Sequence, residues 1–215
     1  MKNIEVNFQT RGFAVIKSVL SKPQLVSLPD KCDAELVSKA GSRNLLQKDW
    51  IKEISTQVTN HHEISPLLPE NVVAVQCTYF SKTLDKNWLV PLHRDLSIPV
   101  KEKFSSDEWS GWSVKEGVNF AQPPEQILKS LIAVRIHFED NTAENGALQI
   151  IPGSHTNKDT KEERVVCEVP KGGALVMCPL LLHSSSKLEQ GARRVLHFLY
   201  GPCELPSPAE WAHAV

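Results

Sequence analysis

No apolar stretch in this chain is long enough to span a bilayer, and the opening residues, Met1 to Asn7, lack the apolar core of a secretory signal. The last four residues, Ala212-His213-Ala214-Val215, are not a peroxisomal Ser-Lys-Leu address. A cytoplasmic protein is expected. Excess charge is lacking too: 24 Lys and Arg stand against 25 Asp and Glu, so the electrostatic footprint of a nucleic-acid partner is missing. No Cys-x-x-Cys pair occurs, and the five cysteines (Cys32, Cys77, Cys167, Cys178, Cys203) are scattered and odd in number, which favours reduced, structural thiols over a disulfide framework. There is no Gly-x-Ser-x-Gly elbow, so a serine hydrolase of that type is excluded. His93-Arg94-Asp95-Leu96 matches the first four positions of a protein-kinase catalytic loop. Val100 stands where that loop requires Asn, however, and neither an Asp-Phe-Gly nor a preceding Gly-rich loop is present.

What is there fits one globular domain over residues 1–215, since 215 residues with 41% hydrophobic content can bury a sizeable core. No internal repeat or low-complexity tract divides it. Helices are expected early, over about 1–70. Phe13 to Ile16 reads as a short strand, Lys22 onward as helix, and Leu45, Leu46, Trp50, Ile51 and Ile54 recur as on one face of another helix. Strands dominate a core at about 71–202: Val72 to Phe80, Leu131 to Phe138, Leu148 to Ile151, Ala174 to Met177 and Val195 to Tyr200 are β-branched or aromatic and bounded by Gly, Pro or Asn. The expectation is an α+β, mainly β, domain whose strands form a double-sheet jelly roll with flanking N-terminal helices. Between them, 101–126 shows little periodicity and reads as a long loop. Either it closes over a substrate, with Trp109 and Trp112 as apolar walls and Lys115 or Lys103 facing an anionic group, or its tryptophans pack on the outer face of the sheet.

The chemistry lies in His93, Asp95 and His183. On an extended strand, side chains two apart share a face, so His93 and Asp95 can grip one ion while Arg94 points away. Two imidazoles and one carboxylate, with the remaining positions open, are the facial set of non-haem Fe(II) oxygenases. The alternative, a surface ion pair, would leave the distal histidine and its following arginine as coincidences. Residues 183–200 read as a hairpin turning near Leu188 to Gly191, which sets His183 opposite 194 or 195. A guanidinium there suits the far carboxylate of a dicarboxylic co-substrate such as 2-oxoglutarate. Arg193 competes for this role; spacing and strand parity favour Arg194. His61, His62, His197 and His213 have no spaced partner, and His197, between apolar neighbours, reads as an ordinary hydrogen-bonded histidine. His137 shares a strand face with Arg135 and either lines the pocket or packs in the core. His155 suits local hydrogen bonding in a tight turn.

At these residues the sequence resembles the phytanoyl-CoA dioxygenase family of Fe(II)/2-oxoglutarate-dependent oxygenases. The likeness includes Asn145-Gly146-Ala147-Leu148-Gln149-Ile150-Ile151-Pro152-Gly153-Ser154-His155, similar to that family's Asn-Gly-x-Leu-x-x-x-Pro-Gly-Ser-His segment. It includes Gly172-Gly173-Ala174-Leu175 before His183, the eleven-residue step from His183 to Arg194, and Phe8 to Ile16, similar to the family's opening segment. The resemblance implies a double-stranded β-helix, iron held by His93, Asp95 and His183, and 2-oxoglutarate held by Arg194 and Ser185 against an aromatic wall at Trp112. Arg94, where the family more often has Gln, and the short end after Pro202 depart from the pattern; the second puts an elaborate CoA-binding surface in doubt.

The implied reaction uses O₂ and 2-oxoglutarate, whose 1-carboxylate and 2-oxo group would meet the iron. Succinate and CO₂ leave as a C–H bond of a small-molecule substrate is hydroxylated. Trp109, Lys115 and Arg135 are candidate substrate contacts. The sequence does not separate hydroxylation from desaturation, choose the prime substrate or fix the oligomeric state. No membrane partner is expected. The rival from another class is a catalytically silent metal-binding jelly roll that recognises a ligand.

Overall fold

The computed structural model of the chain describes residues 2–36 and 41–215. Its helices come first: α1 (Lys2–Arg11), α2 (Lys22–Ala34) and α3 (Asp49–Thr59), with a short α4 (Glu125–Lys129) later. The strands are β1 (Phe13–Ile16), β2 (Gly41–Ser42), β3 (Val72–Thr83), β4 (Val90–His93), β5 (Ile98–Val100), β6 (Ser110–Lys115), β7 (Val118–Gln122), β8 (Ile132–His137), β9 (Leu148–Ile150), β10 (Val165–Val166), β11 (Ala174–Met177), β12 (His183–Ser185) and β13 (Ala192–Pro202). None of the described helices is long and apolar enough to cross a membrane.

Two antiparallel sheets make the body. The larger runs β1-β11-β8-β13-β3-β2 and the smaller β10-β9-β12-β4. This is the double-stranded β-helix, or jelly roll, expected from the strand pattern. Alternation along each strand splits the core in two. Val134 and Ile136 of β8, with Leu196, Phe198 and Tyr200 of β13, face the helices, while Ala133 of β8 and Leu199 of β13 face the smaller sheet. Helix α3 is held by Ile51, Ile54 and Val58, three buried apolar residues at helical spacing, each adding roughly 1.5–3 kcal/mol of burial. Leu45 and Leu46, expected on that helix, belong instead to a 3₁₀ turn just before it, though both are buried in the same core.

Two sequence expectations change. The stretch 101–126 is not an irregular loop: β6 and β7 form a hairpin that pairs on to β5 as a third small sheet. Glu116 and Gly117 both take positive φ at its turn, the primed geometry a tight hairpin needs. Residues 183–200 are not a hairpin. β12 pairs with β4 and β9 in the smaller sheet, whereas β13 crosses to the larger one and lies between β3 and β8. His183 therefore stands opposite His93 and Ile150, and Arg194 opposite Ser81.

Candidate metal centre

Pairing of β12 with β4 brings His183 to His93, and the chain leaving β4 returns Asp95 to the same point. One ligand atom from each lies within 4.8 Å of the others. His93 Nε2 is 3.5 Å from one Asp95 oxygen and His183 Nε2 is 3.7 Å from the other. Each ring is oriented from behind. His93 Nδ1 donates to the Pro91 carbonyl at 2.8 Å and His183 Nδ1 to the Leu181 carbonyl at 2.9 Å. A carbonyl only accepts, so each Nδ1 carries its proton and each Nε2 points at the carboxylate, where it offers a lone pair to a metal or, with the His93 ring protonated, a hydrogen bond to Asp95. Burial pushes the Asp95 carboxyl up, but the His93 hydrogen bond and the neighbouring histidines outweigh it and hold the group well below the usual carboxylate range. His183 is pulled down by burial, so it is neutral at pH 7. An ionised carboxylate and two imidazoles on one side of an open cavity suit Fe(II).

The Asn-Gly segment holds this site in place from outside. Arg94 turns away from the ion and donates to the carbonyls of Leu180 (2.8 Å) and Ser154 (3.0 Å), tying the metal loop to that segment. Ser154 Oγ accepts from the Leu182 backbone N–H at 2.8 Å, one residue before His183. Gly146, at positive φ, lies so close to this chain that a Cβ there would come within 2.8 Å of the Ser186 carbonyl oxygen. His155 packs its ring over Gly12.

The cavity beside the triad measures about 400 Å³. Its far end is cationic. Arg193 is buried, with Nη2 3.5 Å from Ser185 Oγ and Nη1 without a partner among the described residues. Opposite it on β3, fully buried Lys82 donates to the carbonyls of Trp88 (2.7 Å) and Ser186 (3.0 Å) and lies 3.5 Å from Ser185 Oγ. Burial, with Arg193 and Arg135 as neighbouring cations, pulls Lys82 down to about 7. Burying unpaired cations is costly, so two such groups around one hydroxyl imply an anion between them.

Arg194, the expected co-substrate residue, is not at this end. Its side chain leaves the opposite face of β13 and pairs with Glu139 at 2.7 Å and Asp33 at 3.1 Å. Period two decides the matter: Arg193, His197 and Leu199 line the cavity, while Arg194, Leu196 and Phe198 look the other way. Trp112 is also displaced. It clusters with Phe104 (ring centroids 5.1 Å) and Trp109 (6.5 Å), and neither tryptophan lines the cavity. Lys115 does, and Trp112, three residues away on β6, cannot share its face. The aromatic walls are Phe80, Trp88 and Phe120 instead. Ser185 and Arg135 line the cavity wall. His137 shares Arg135's face but is buried beyond the cavity, and neither ring nitrogen has a partner among the described residues. Sequence reasoning missed Arg43, Lys82, Thr78 and the cavity position of His197. Gln76 and Thr78, polar residues inside the apolar run Val72–Phe80, were the available signal on β3.

The phytanoyl-CoA dioxygenase family profile matches residues 8–195, from α1 through the triad into β13. The chain belongs to the phytanoyl-CoA dioxygenase family. Comparison with curated proteins gave no match. Among solved structures, the fold is similar to the non-haem α-ketoglutarate-dependent epimerase SnoN from nogalamycin biosynthesis, at TM-score 0.71 and 11% identity, over 94% of this chain and 81% of that one. HygX from Streptomyces hygroscopicus, solved with nickel, 2-oxoglutarate and hygromycin B bound, aligns at TM-score 0.64 and 16% identity, covering 94% and 88%. AviO1 from Streptomyces viridochromogenes Tue57 aligns at TM-score 0.62 and 20% identity over 97% of both chains. At such identities the likeness is one of fold, and what this family member does must be argued from its own side chains.

Proposed function

We propose that this family member is an Fe(II)/2-oxoglutarate-dependent dioxygenase that hydroxylates an unactivated C–H bond of a small molecule. The observation that carries the reading is the facial His93–Asp95–His183 set facing the same cavity as Arg193, whose buried Nη1 has no partner among the described residues, with Lys82 behind Ser185. When bound, iron with 2-oxoglutarate and O₂ supplies the oxidant that removes the hydrogen and returns a hydroxyl, with succinate and CO₂ released. The protein's part is position. Arg193 and Ser185, with Lys82 behind them, take the distal carboxylate; Phe80 and Trp88 exclude water along its length. Hydroxylation is preferred to epimerisation because no Tyr or Cys among the described residues lines the cavity to return a hydrogen to the opposite face of the substrate. A cavity near the lower end of small-ligand sites, shared by two molecules, argues for a compact substrate and against an acyl-CoA lying inside it.

The test is anaerobic addition of 2-oxoglutarate to Fe(II)-loaded protein. A weak visible metal-to-ligand charge-transfer band is expected. Its absence in folded, iron-loaded protein would turn the assignment toward a silent ligand-binding module.

Lys82 adds a pH signature. With its pKa near 7 it is largely neutral at pH 8 in the free site, and a dianion beside it restores the proton. Binding of 2-oxoglutarate at pH 8 should therefore take up close to one proton, and affinity should fall as pH rises from 7 to 9. Below the pKa the lysine is already charged and the uptake vanishes. Calorimetry in two buffers of different ionisation enthalpy measures it; equal heats in both buffers at pH 8 would remove Lys82 from the co-substrate site.

A further inference from the structure

The distal cations account for one dicarboxylate, yet the cavity wall carries further cationic side chains. Arg135 projects from β8 beside His197, its register partner on β13. Arg135 Nη1 is 2.8 Å from His197 Nδ1. Burial and the Arg135 charge drive His197 down to about 3, so its ring is neutral and Nδ1 accepts this bond. Arg135 is only 8% exposed, its Nε has no partner among the described residues, and it lies over the Phe80 ring at 5.7 Å. Arg43, on the segment after β2, and Lys115, at the end of β6, line the same cavity. Lys115 rests on the Phe120 ring at 4.6 Å, held over the cavity rather than paired with an acid. Glu116, next to it, accepts the Arg43 backbone N–H at 2.7 Å.

Charge decides what these groups can hold. Asp95 is the one acidic residue among the described lining residues, and it is committed to the metal. Arg94 is satisfied by two backbone carbonyls. A dianionic co-substrate answers Arg193 and Lys82, leaving Arg135, Arg43 and Lys115 without an ion pair among the described residues. A buried guanidinium with an open edge is stable there when a ligand supplies that charge.

We propose that Arg135, with Lys115 and Arg43 at the mouth, forms a second oxyanion subsite that selects a small carboxylate-bearing prime substrate. This rests on the oxygenase reading, in which Arg193 and Lys82 hold 2-oxoglutarate. The carboxylate, anchored at Arg135, leaves the rest of the substrate directed along Phe80 and Phe120. Small size follows from a cavity of about 400 Å³ that two molecules share.

The test uses Ni(II)-loaded protein saturated with 2-oxoglutarate and titrated by calorimetry with hexanoate, hexanamide and hexyl phosphate. Hexanoate should bind at least about 10-fold more tightly than hexanamide, the usual consequence of losing a charge-assisted hydrogen bond. Arg135→Gln should weaken hexanoate by about 10-fold or more while changing 2-oxoglutarate affinity less than about 3-fold, whereas Arg193→Gln should do the reverse. Retained 2-oxoglutarate binding shows that Arg135→Gln has folded; if it has not, half-buried Lys115→Gln, with an expected loss of about 3-fold, carries the test. Equal binding of hexanoate and hexanamide, or binding of neither, overturns the subsite, as does an Arg135→Gln variant that loses 2-oxoglutarate instead. Preference for hexyl phosphate overturns the choice of carboxylate. Failure of the wild-type protein to bind 2-oxoglutarate overturns the oxygenase reading, and this inference with it.

Discussion

Asp95→Ala is expected to weaken Fe(II) or Ni(II) binding by at least ~100-fold and to abolish 2-oxoglutarate-dependent succinate release, with the fold retained. The reasons are local. Asp95 supplies the only charge among the three ligands, and its carboxyl stays ionised far below neutral pH. Removing it leaves two neutral imidazoles, one already buried, with nothing to offset the desolvation of a dication. The fold should survive because Asp95 lies outside both core clusters, and because its backbone N–H bond to the Pro179 carbonyl, at 3.0 Å, does not need the side chain. Two measurements check it together. Added metal should raise the melting temperature of the wild-type protein and leave that of the variant unmoved, since only a ligand that binds the native state shifts stability. Metal-dependent stabilisation and full turnover in the variant would remove Asp95 from the centre.

The triad was legible because its signal survives ignorance of the tertiary fold. His93 and Asp95 need only the period of an extended chain, and His183 follows an ordered series of segments. The larger strands were legible for the same reason: β3, β8, β11 and β13 are long or densely apolar enough to declare themselves, and their bounds fall within a few residues of the sequence reading. What failed was pairing. Ser184 to Arg194 looks like a tight connection between adjacent strands, and a local turn is the cheapest way to join two strand-like segments. In the fold the segment crosses between sheets, because β12 finds β4 and β9 while β13 fills the gap between β3 and β8. Those partners lie far away in sequence, and no local pattern announces them. The β6–β7 hairpin was hidden by composition: Ser110 to Lys115 alternates only at Trp112 and Val114, too briefly to mark a strand, and most of it is exposed. Lys82 was hidden by its type, since a lysine in a strand ordinarily marks solvent. Arg43 lies beside a two-residue strand too short to be read at all.

That pairing error has a sharp experimental consequence. Arg193 and Arg194 are adjacent, carry the same charge and would be interchangeable to any argument from composition, yet β13 sends them to opposite faces. Arg193→Gln is expected to weaken 2-oxoglutarate binding by about 100-fold, because a buried, charge-assisted bond to the distal carboxylate is lost. Ser185, its neighbour at 3.5 Å, supplies a hydroxyl but no compensating charge. Lys82 keeps some attraction, so residual binding should become more steeply pH-dependent near neutrality, where that lysine titrates. Arg194→Gln should behave differently in kind. It releases Glu139 and Asp33, the latter also hydrogen-bonded by Tyr79 at 2.6 Å, so a loss of about 1 kcal/mol of stability is expected from a partly exposed pair. Its 2-oxoglutarate affinity should stay within about 3-fold of the parent, since the side chain never meets the cavity. Spectroscopic titration of the anaerobic iron protein reads the affinities, and thermal melting of the metal-free proteins reads the stabilities. The reverse pattern, with Arg194→Gln blind to 2-oxoglutarate and Arg193→Gln binding it normally, would mean that β13 is shifted by one residue from the register it has here, and would restore the eleven-residue step as the better guide.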